Sequence, residues 1–278
     1  MRWTHLLRGT PRLPTALAME SVVDEFVFIV GPVLVTFLST TGHTTSGVVT
    51  AFGLAVVGSL AFAAQARTEP PAHGHESRQG PSAMRTAGLR VLFVVGLAVG
   101  TILGTLEIAL VAFADEIGSK SYSGLLIAAL AIGSMVSGIG WGTVRFRAPV
   151  RHRLLAVLPV FVLLSLPLTL VGDLWVMIPF VVLAGLAVSP SLISAFTLAE
   201  VLVPRAVVTE AFTWIGTALA IGVALGASVA GKVVDASGAN HAFLVATVGA
   251  AVAAVVVAAF QRLLVVPAEH AGDPALAR

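Results

Sequence analysis

The chain has 278 residues, of which 57% are hydrophobic and only 11% are charged. Soluble domains carry roughly 25% charged residues because water must wet their surfaces, so this composition excludes a water-soluble globule and indicates an integral membrane protein. The chain contains no cysteine and has a net charge of +2. These values exclude a disulfide framework and a thiolate metal site, and we expect no nucleic-acid partner.

Apolar runs long enough to span a membrane recur along the chain. A hydrocarbon core about 30 Å thick requires about 20 largely apolar helical residues. The runs lack the alternation of apolar and polar residues that is typical of a membrane β-barrel. The sequence therefore predicts an all-α polytopic membrane protein with eight transmembrane helices in contact with lipid. The predicted spans are 16–40, 46–66, 89–114, 121–142, 153–171, 174–199, 207–231 and 241–264.

The basic residues predict the orientation of these spans. Of the 16 lysines and arginines, only Lys120 and Lys232 fall on one side of the predicted membrane. Loops rich in arginine and lysine face the cytoplasm. We therefore expect both termini to be cytoplasmic and the protein to lie in the cell (plasma) membrane.

A long connection divides the predicted spans into two groups. Residues 67–88 are rich in proline, glycine, serine and charge, a composition typical of a flexible linker. The predicted organisation is two transmembrane helices in 1–66, a cytoplasmic linker in 67–88, six helices in 89–266 and a disordered tail in 267–278.

Acidic side chains within the spans are the first candidates for function, because ionisable groups in a membrane are costly. Glu20 and Asp24 lie four residues apart and share a helix face, where they could carry a proton. The alternative is that Glu20 and Asp24 lie near the N-terminus of a helix, where the positive end of the helix dipole stabilises acidic side chains. The same effect explains Glu210 in the first turn of the seventh span. Glu107 follows Gly104 by three residues, and we expect it to continue a packed face as a proton-coupling or substrate residue. A hydrogen-bonded structural role is the alternative.

Two further patterns predict the shape and packing of the helices. Gly31 and Pro32 lie in the outer half of the first span, where proline removes a backbone donor and favours a kink. In the third span, glycine recurs at every fourth position, a spacing that lets a second helix approach closely. These residues are Gly96, Gly100 and Gly104.

The sixth span contains Pro190 with serines on either side. Proline frees a carbonyl that neighbouring hydroxyl groups can bond, and interrupted helices near the membrane centre are where transporters often bind cargo. Ser191 and Ser194, together with Trp214 of the next span, are therefore candidates to line a cavity. A bent structural helix is the alternative.

The sequence predicts no enzyme, metal site or cofactor. The string from Gly226 to Lys232 has part of the spacing of a phosphate-binding loop, but Val233 occupies the position that requires serine or threonine. No serine, histidine and acid are arranged as in a hydrolase. His73 and His75 in the linker are weak evidence for a metal.

Four segments resemble helices of the major facilitator superfamily of transporters. They resemble its fifth, seventh, eighth and eleventh helices, the last with its flanks. In that order they are ALAMESVVDEFVFIVGPVL (16–34), GTLEIALVAFADEIG (104–118), SGLLIAALAIGSMVSGIGWG (123–142) and VPRAVVTEAFTWIGTALAIGVALGASVAGKVVDASGANHAF (203–243). The Gly31–Pro32 pair matches the centre of the fifth-helix signature of antiporters, but the glycines that usually follow are replaced by VLVT.

The resemblance implies that the eight spans are helices five to twelve of the family: the last two of the N-terminal half and the whole six-helix C-terminal half. It implies proton-coupled efflux of a small solute or drug through a pathway between the halves. Because the first four helices of the family pattern are not matched, we expect a truncated transporter. Activity would then require the missing helices or an oligomeric partner.

Two other functions are compatible with the sequence. The chain could be the permease subunit of a transporter driven by a separate ATPase, although the arginine-rich loop at 143–153 is a poor docking helix for such a partner. It could also be a membrane scaffold that transports nothing. In that case, replacing Glu107 by glutamine should have no effect.

Overall fold

The computed structural model describes residues 41–65, 68 and 82–265 except 145 and 147, and isolated positions between 6 and 39. Regular structure in this part of the chain is helical, without strands. We number its α-helices in chain order. They are α1 (Ser46–Ala63), α2 (Ala87–Glu116), α3 (Ser123–Thr143), α4 (Val150–Ser165), α5 (Leu174–Gly185), α6 (Val188–Leu202), α7 (Val208–Ser237) and α8 (Ala239–Ala259).

Seven helical segments among the described residues are long and apolar enough to cross a membrane, with α5 and α6 together forming one of them. They coincide with the second to eighth predicted spans, and most of their ends agree within a few residues. The chain is therefore a helical, multi-pass membrane protein. The first predicted span, 16–40, lies largely outside the described residues, so the count of eight stays a prediction.

The chain divides into two compact units. The first comprises Met1–Gln79 with Ser121–Ala128, and the second comprises Gly80–Lys120 with Ala129–Arg278. In the first unit, Gly47 is the buried residue of α1, and a Cβ atom there would lie 2.7 Å from the carbonyl oxygen of Val35. The rest of α1 is largely exposed apolar surface. The second unit contains five whole spans and the part of α3 from Ala129 onward.

Helices α2 and α7 cross with their backbones in contact. A Cβ atom at Gly100 would overlap the carbonyl oxygen of Leu219, and one at Gly222 would overlap that of Leu97. Gly104 and Gly226 face each other in the same way one turn further along. The close approach predicted for the glycines of the third span is therefore present. The second contact lies four residues further toward the C-terminus on both helices, so α2 and α7 run parallel.

A second crossing, between α3 and α5, repeats this geometry. A Cβ atom at Gly133 would overlap the carbonyl oxygen of Val182, and one at Gly185 would overlap that of Leu130. In both crossings, each glycine faces the carbonyl three residues before the partner glycine. The Gly100–Gly222 and Gly133–Gly185 pairs are therefore equivalent contacts, made by different helices.

These contacts reveal an internal repeat in the second unit. Numbered as six spans, α2 to α4 form the first three, and α5–α6, α7 and α8 form the second three. The first span of each triplet packs on the second span of the other. The third spans, α4 and α8, pack on each other and share a hydrogen bond between Ser165 Oγ and Thr247 Oγ1 (3.1 Å). Because consecutive spans alternate in direction, the two triplets are inverted.

The sixth predicted span is broken. Helix α5 ends at Gly185, Leu186 and Ala187 form a turn, and α6 begins at Val188. Pro190 lies in the first turn of α6, where the missing N–H costs least. Pro190 thus lies shortly after the break, and the second crossing glycine, Gly185, lies immediately before it.

Gly222→Ala tests the backbone contact. The added methyl group would overlap the Leu97 carbonyl oxygen, and overpacking of this kind costs about 1–3 kcal/mol. We expect a lower Tm for the purified full chain. Gly216→Ala is the matched control, because a Cβ atom at Gly216 has no heavy atom within 4 Å and alanine favours a helix over glycine by up to about 1 kcal/mol. Equal effects of the two substitutions would contradict the contact.

Candidate functional site

The predicted site residues of the first span fall almost entirely outside the described residues. Glu20, Asp24 and Pro32 are among the residues that the structure does not describe. Gly31 is helical, and a Cβ atom there would meet no described atom within 4 Å. The proton-coupling role of Glu20 and Asp24 and the kink at Pro32 stay predictions.

Glu107 is exposed on the surface of the second unit. Its neighbours Leu106 and Ala109 are fully buried, and Thr105 Oγ1 donates to the carbonyl oxygen of Gly226 at 3.4 Å. Glu107 lies about one turn beyond the last glycine contact of α2. Its side chain is exposed rather than enclosed in the packed face of α2. Its carboxylate lies at the surface of a transmembrane helix.

Ser191 and Ser194 are enclosed within the second unit. Ser191 is fully buried and its hydroxyl group donates to the carbonyl oxygen of Ala187 at 2.7 Å, at the beginning of α6. Ser194 is 1% exposed, and its Oγ atom has no hydrogen-bond partner within the described part of the chain. Neither serine lines an open cavity in this conformation. Their predicted role in binding cargo would require the break to open.

A second group of serines bridges the helix break from outside. Ser134 Oγ of α3 and Ser189 Oγ of α6 lie 2.7 Å apart, and Ser137 Oγ donates to the carbonyl oxygen of Ser134. The structure adds a polar contact that holds the first turn of α6 against α3.

Trp214 belongs to a polar and aromatic cluster at the beginning of α7. Its indole Nε1 donates to Glu210 Oε1 at 3.3 Å, and its ring makes an edge contact with Phe93 of α2, with ring centroids 6.1 Å apart. The same oxygen of Glu210 accepts a hydrogen bond from Ser82 Oγ at 2.6 Å. Trp214 is 37% exposed, as expected for a residue on an open face of α7. One carboxylate thus joins the end of the linker to the tryptophan.

Sequence reasoning explained Glu210 by the helix dipole and did not identify Ser82 as its partner. The two residues lie 128 positions apart, and nothing in their local sequence links them. A second long-range contact was also missed: Glu116 Oε1, at the end of α2, accepts from the backbone N–H of Ala239 at 2.8 Å. This contact caps α8 immediately after Gly238, whose φ is 88°. The positive φ explains the glycine there.

No protein-family model matches the chain, and no curated protein matches it. Among the residues that the structure describes, no group of three or more histidine or acidic side chains could hold a metal ion. The chemically distinctive features of the second unit are an exposed acid in a span, a serine-bridged helix break and a carboxylate–aromatic cluster.

Ser82→Ala tests whether the linker end controls Trp214. Without the serine hydroxyl, Glu210 loses its 2.6 Å hydrogen bond and keeps the backbone of Ala83 as its partner outside α7, so the acceptor of the indole is held less firmly. In a chain whose other three tryptophans are phenylalanine, we expect acrylamide quenching of Trp214 to rise at least about twofold, since hydrogen bonds to charged groups are the stronger kind. Thr86→Ala is the control, because the Thr86 side chain caps nothing in α2. Unchanged quenching in Ser82→Ala would contradict control of Trp214 by Ser82.

Proposed function

We propose that the protein is a secondary transporter of the major facilitator type that exports a small solute or drug in exchange for protons. The observation that carries this proposal is the inverted repeat of the second unit. Its two triplets are related by equivalent glycine contacts, Gly100–Gly222 and Gly133–Gly185. Nested 3+3 inverted repeats occur within each six-helix half of major facilitator transporters. A scaffold or an ATP-driven permease has no need of this arrangement.

The proposal assigns the second unit the role of one transporter half. Its glycine crossings keep α2 with α7 and α3 with α5 as closely packed pairs, which favours movement of whole pairs over bending within them. The open face of α7 carries Thr213, Thr217 and Ser228, all exposed, on the same helix as Trp214. We assign this face to the cargo pathway. Both termini would be cytoplasmic and the protein would lie in the plasma membrane.

Glu107 is the proposed proton-coupling residue of this unit, with Asp24 as its counterpart in the first predicted span. An acid at the surface of a span can exchange a proton only where water or a cargo group reaches it. Glu107 is exposed on the second unit, so the described residues do not enclose its carboxylate. The neutral form of Glu107 would then accompany one orientation of the transporter and the charged form the other.

The test is proton-coupled transport of a defined probe. Full-length protein is reconstituted into liposomes that contain a pH-sensitive dye, and ethidium and tetraphenylphosphonium are added in turn under an imposed pH gradient. We expect probe-dependent proton flux that Glu107→Gln lowers by at least about tenfold, a range typical of losing a proton-transfer group. Asp115→Asn is the matched control, because Asp115 is exposed at the end of α2 and pairs with Lys120 at 3.3 Å.

The other outcomes separate the competing functions. Flux that is equal in the wild-type protein and in Glu107→Gln would contradict coupling through this residue. Probe movement that requires ATP and a second protein would favour the permease subunit. Absence of flux for both probes, with normal folding, would contradict transport by this chain alone. It would favour a scaffold or a transporter that requires the missing helices or an oligomeric partner.

A further inference from the structure

Two shallow apolar grooves follow the contact between α2 and α8. The first is lined by Arg90, Val94 and Phe260 among others, and the second by Val94, Thr101 and Val248 among others. Because Val94 lines both, they form one continuous groove along the surface of the second unit. We call it the α2–α8 groove. Val94, Val248 and Phe260 are 39%, 60% and 50% exposed, so the groove is open along its length.

The dimensions of the groove suit a hydrocarbon chain. On α2 it extends from Ala87 to Thr101, a distance of about 21 Å at roughly 1.5 Å of rise per residue. Half of a bilayer hydrocarbon core is about 15 Å. Small residues, Ala98 and Gly249, contribute to its lining, and valine is its most frequent lining residue. A lipid acyl chain can therefore lie along the groove from the interface to the membrane centre.

One end of the groove is positively charged. Arg90 lines it there. The turn Gln261–Leu264, which carries Arg262, packs against the first turn of α2, where a Cβ atom at Gly88 would lie 2.6 Å from the Leu263 carbonyl oxygen. Arg90 and Arg262 are both exposed. Acidic residues do not neutralise this end of the groove through α2 itself, because the first turn of α2 contains no acid. The ion pair found within the described residues, between Lys120 and Asp115, lies at the opposite end of α2.

We propose that the α2–α8 groove binds an anionic phospholipid, with its phosphate at Arg90 and Arg262 and one acyl chain along Val94 and Val248. Arginine is suited to phosphate because its planar fork can donate two parallel hydrogen bonds. A zwitterionic headgroup would add a positive charge beside the two arginines, which disfavours it. A free phosphate ion would leave the apolar part of the groove unused. The site does not depend on the proposed transport function.

Native mass spectrometry of the detergent-purified full chain tests this site. The probes are phosphatidylglycerol and phosphatidylcholine with identical palmitoyl and oleoyl chains. We expect the wild-type protein to retain phosphatidylglycerol about tenfold more strongly, and Arg90→Gln to remove most of that preference, since hydrogen bonds to charged groups are worth about this factor. Arg90→Lys should restore part of it. Arg151→Gln is the matched control, because Arg151 belongs to α4 and lines neither part of the groove.

A second variant separates the groove from the charge. Val248→Phe places a larger ring within the groove without changing any charge, and we expect it to weaken the binding of both lipids while the Tm stays close to that of the wild-type protein. Two results would overturn the proposal. The first is an equal loss of lipid preference in Arg90→Gln and Arg151→Gln, which would indicate general charge attraction. The second is unchanged lipid binding in Val248→Phe.

Discussion

The architecture of the second unit depends on backbone contact between helices at paired glycines. In a membrane, the hydrophobic effect does not drive one helix against another, because lipid is as apolar as the side chains. Close packing must supply the attraction, and it is strongest where no side chain separates the backbones. Gly100 with Gly222 and Gly133 with Gly185 provide such contacts. The other contacts, including the Ser165–Thr247 hydrogen bond, are arranged around these crossings.

The two crossings differ one turn further along, and the difference bears on function. The residues four positions after the paired glycines are Gly104 and Gly226 in the first crossing, which again touch. In the second crossing they are Ser189 and Ser137, and Ser189 instead bonds Ser134 across 2.7 Å. The first crossing is therefore a longer, rigid backbone contact. The second ends in a serine cluster beside the break between α5 and α6, where a change of helix direction requires the fewest contacts to be lost.

The sequence could predict features that depend on neighbouring residues, but not contacts between residues far apart along the chain. Span positions follow from composition over about 20 residues and were therefore predictable. The missing donor of Pro190 indicated an irregular sixth span but not its position at Leu186 and Ala187. The spacing of Gly96, Gly100 and Gly104 indicated a close helix contact but could not name α7 as the partner. The contacts of Ser82 with Glu210 and of Glu116 with Ala239 join residues more than a hundred positions apart. They depend on the tertiary fold. Helical periodicity indicated that Glu107 follows the direction of the packed face of α2, and we therefore expected it there. Periodicity does not show whether that face has room for a side chain.

Cysteine cross-linking of the two triplets tests the inverted repeat most directly, because the natural chain contains no cysteine. A Cβ atom at Gly96 would lie 3.4 Å from that of Ala218, close to the usual Cβ separation in a disulfide of roughly 3.5–4.5 Å. By equivalence with this pair, each residue being four positions before a crossing glycine, Val181 and Ala129 should also face each other. We predict that Gly96→Cys/Ala218→Cys and Ala129→Cys/Val181→Cys both cross-link. The control Gly96→Cys/Val229→Cys, displaced by about 16 Å along α7, should not. Cross-linking of the first pair without the second would contradict the repeat.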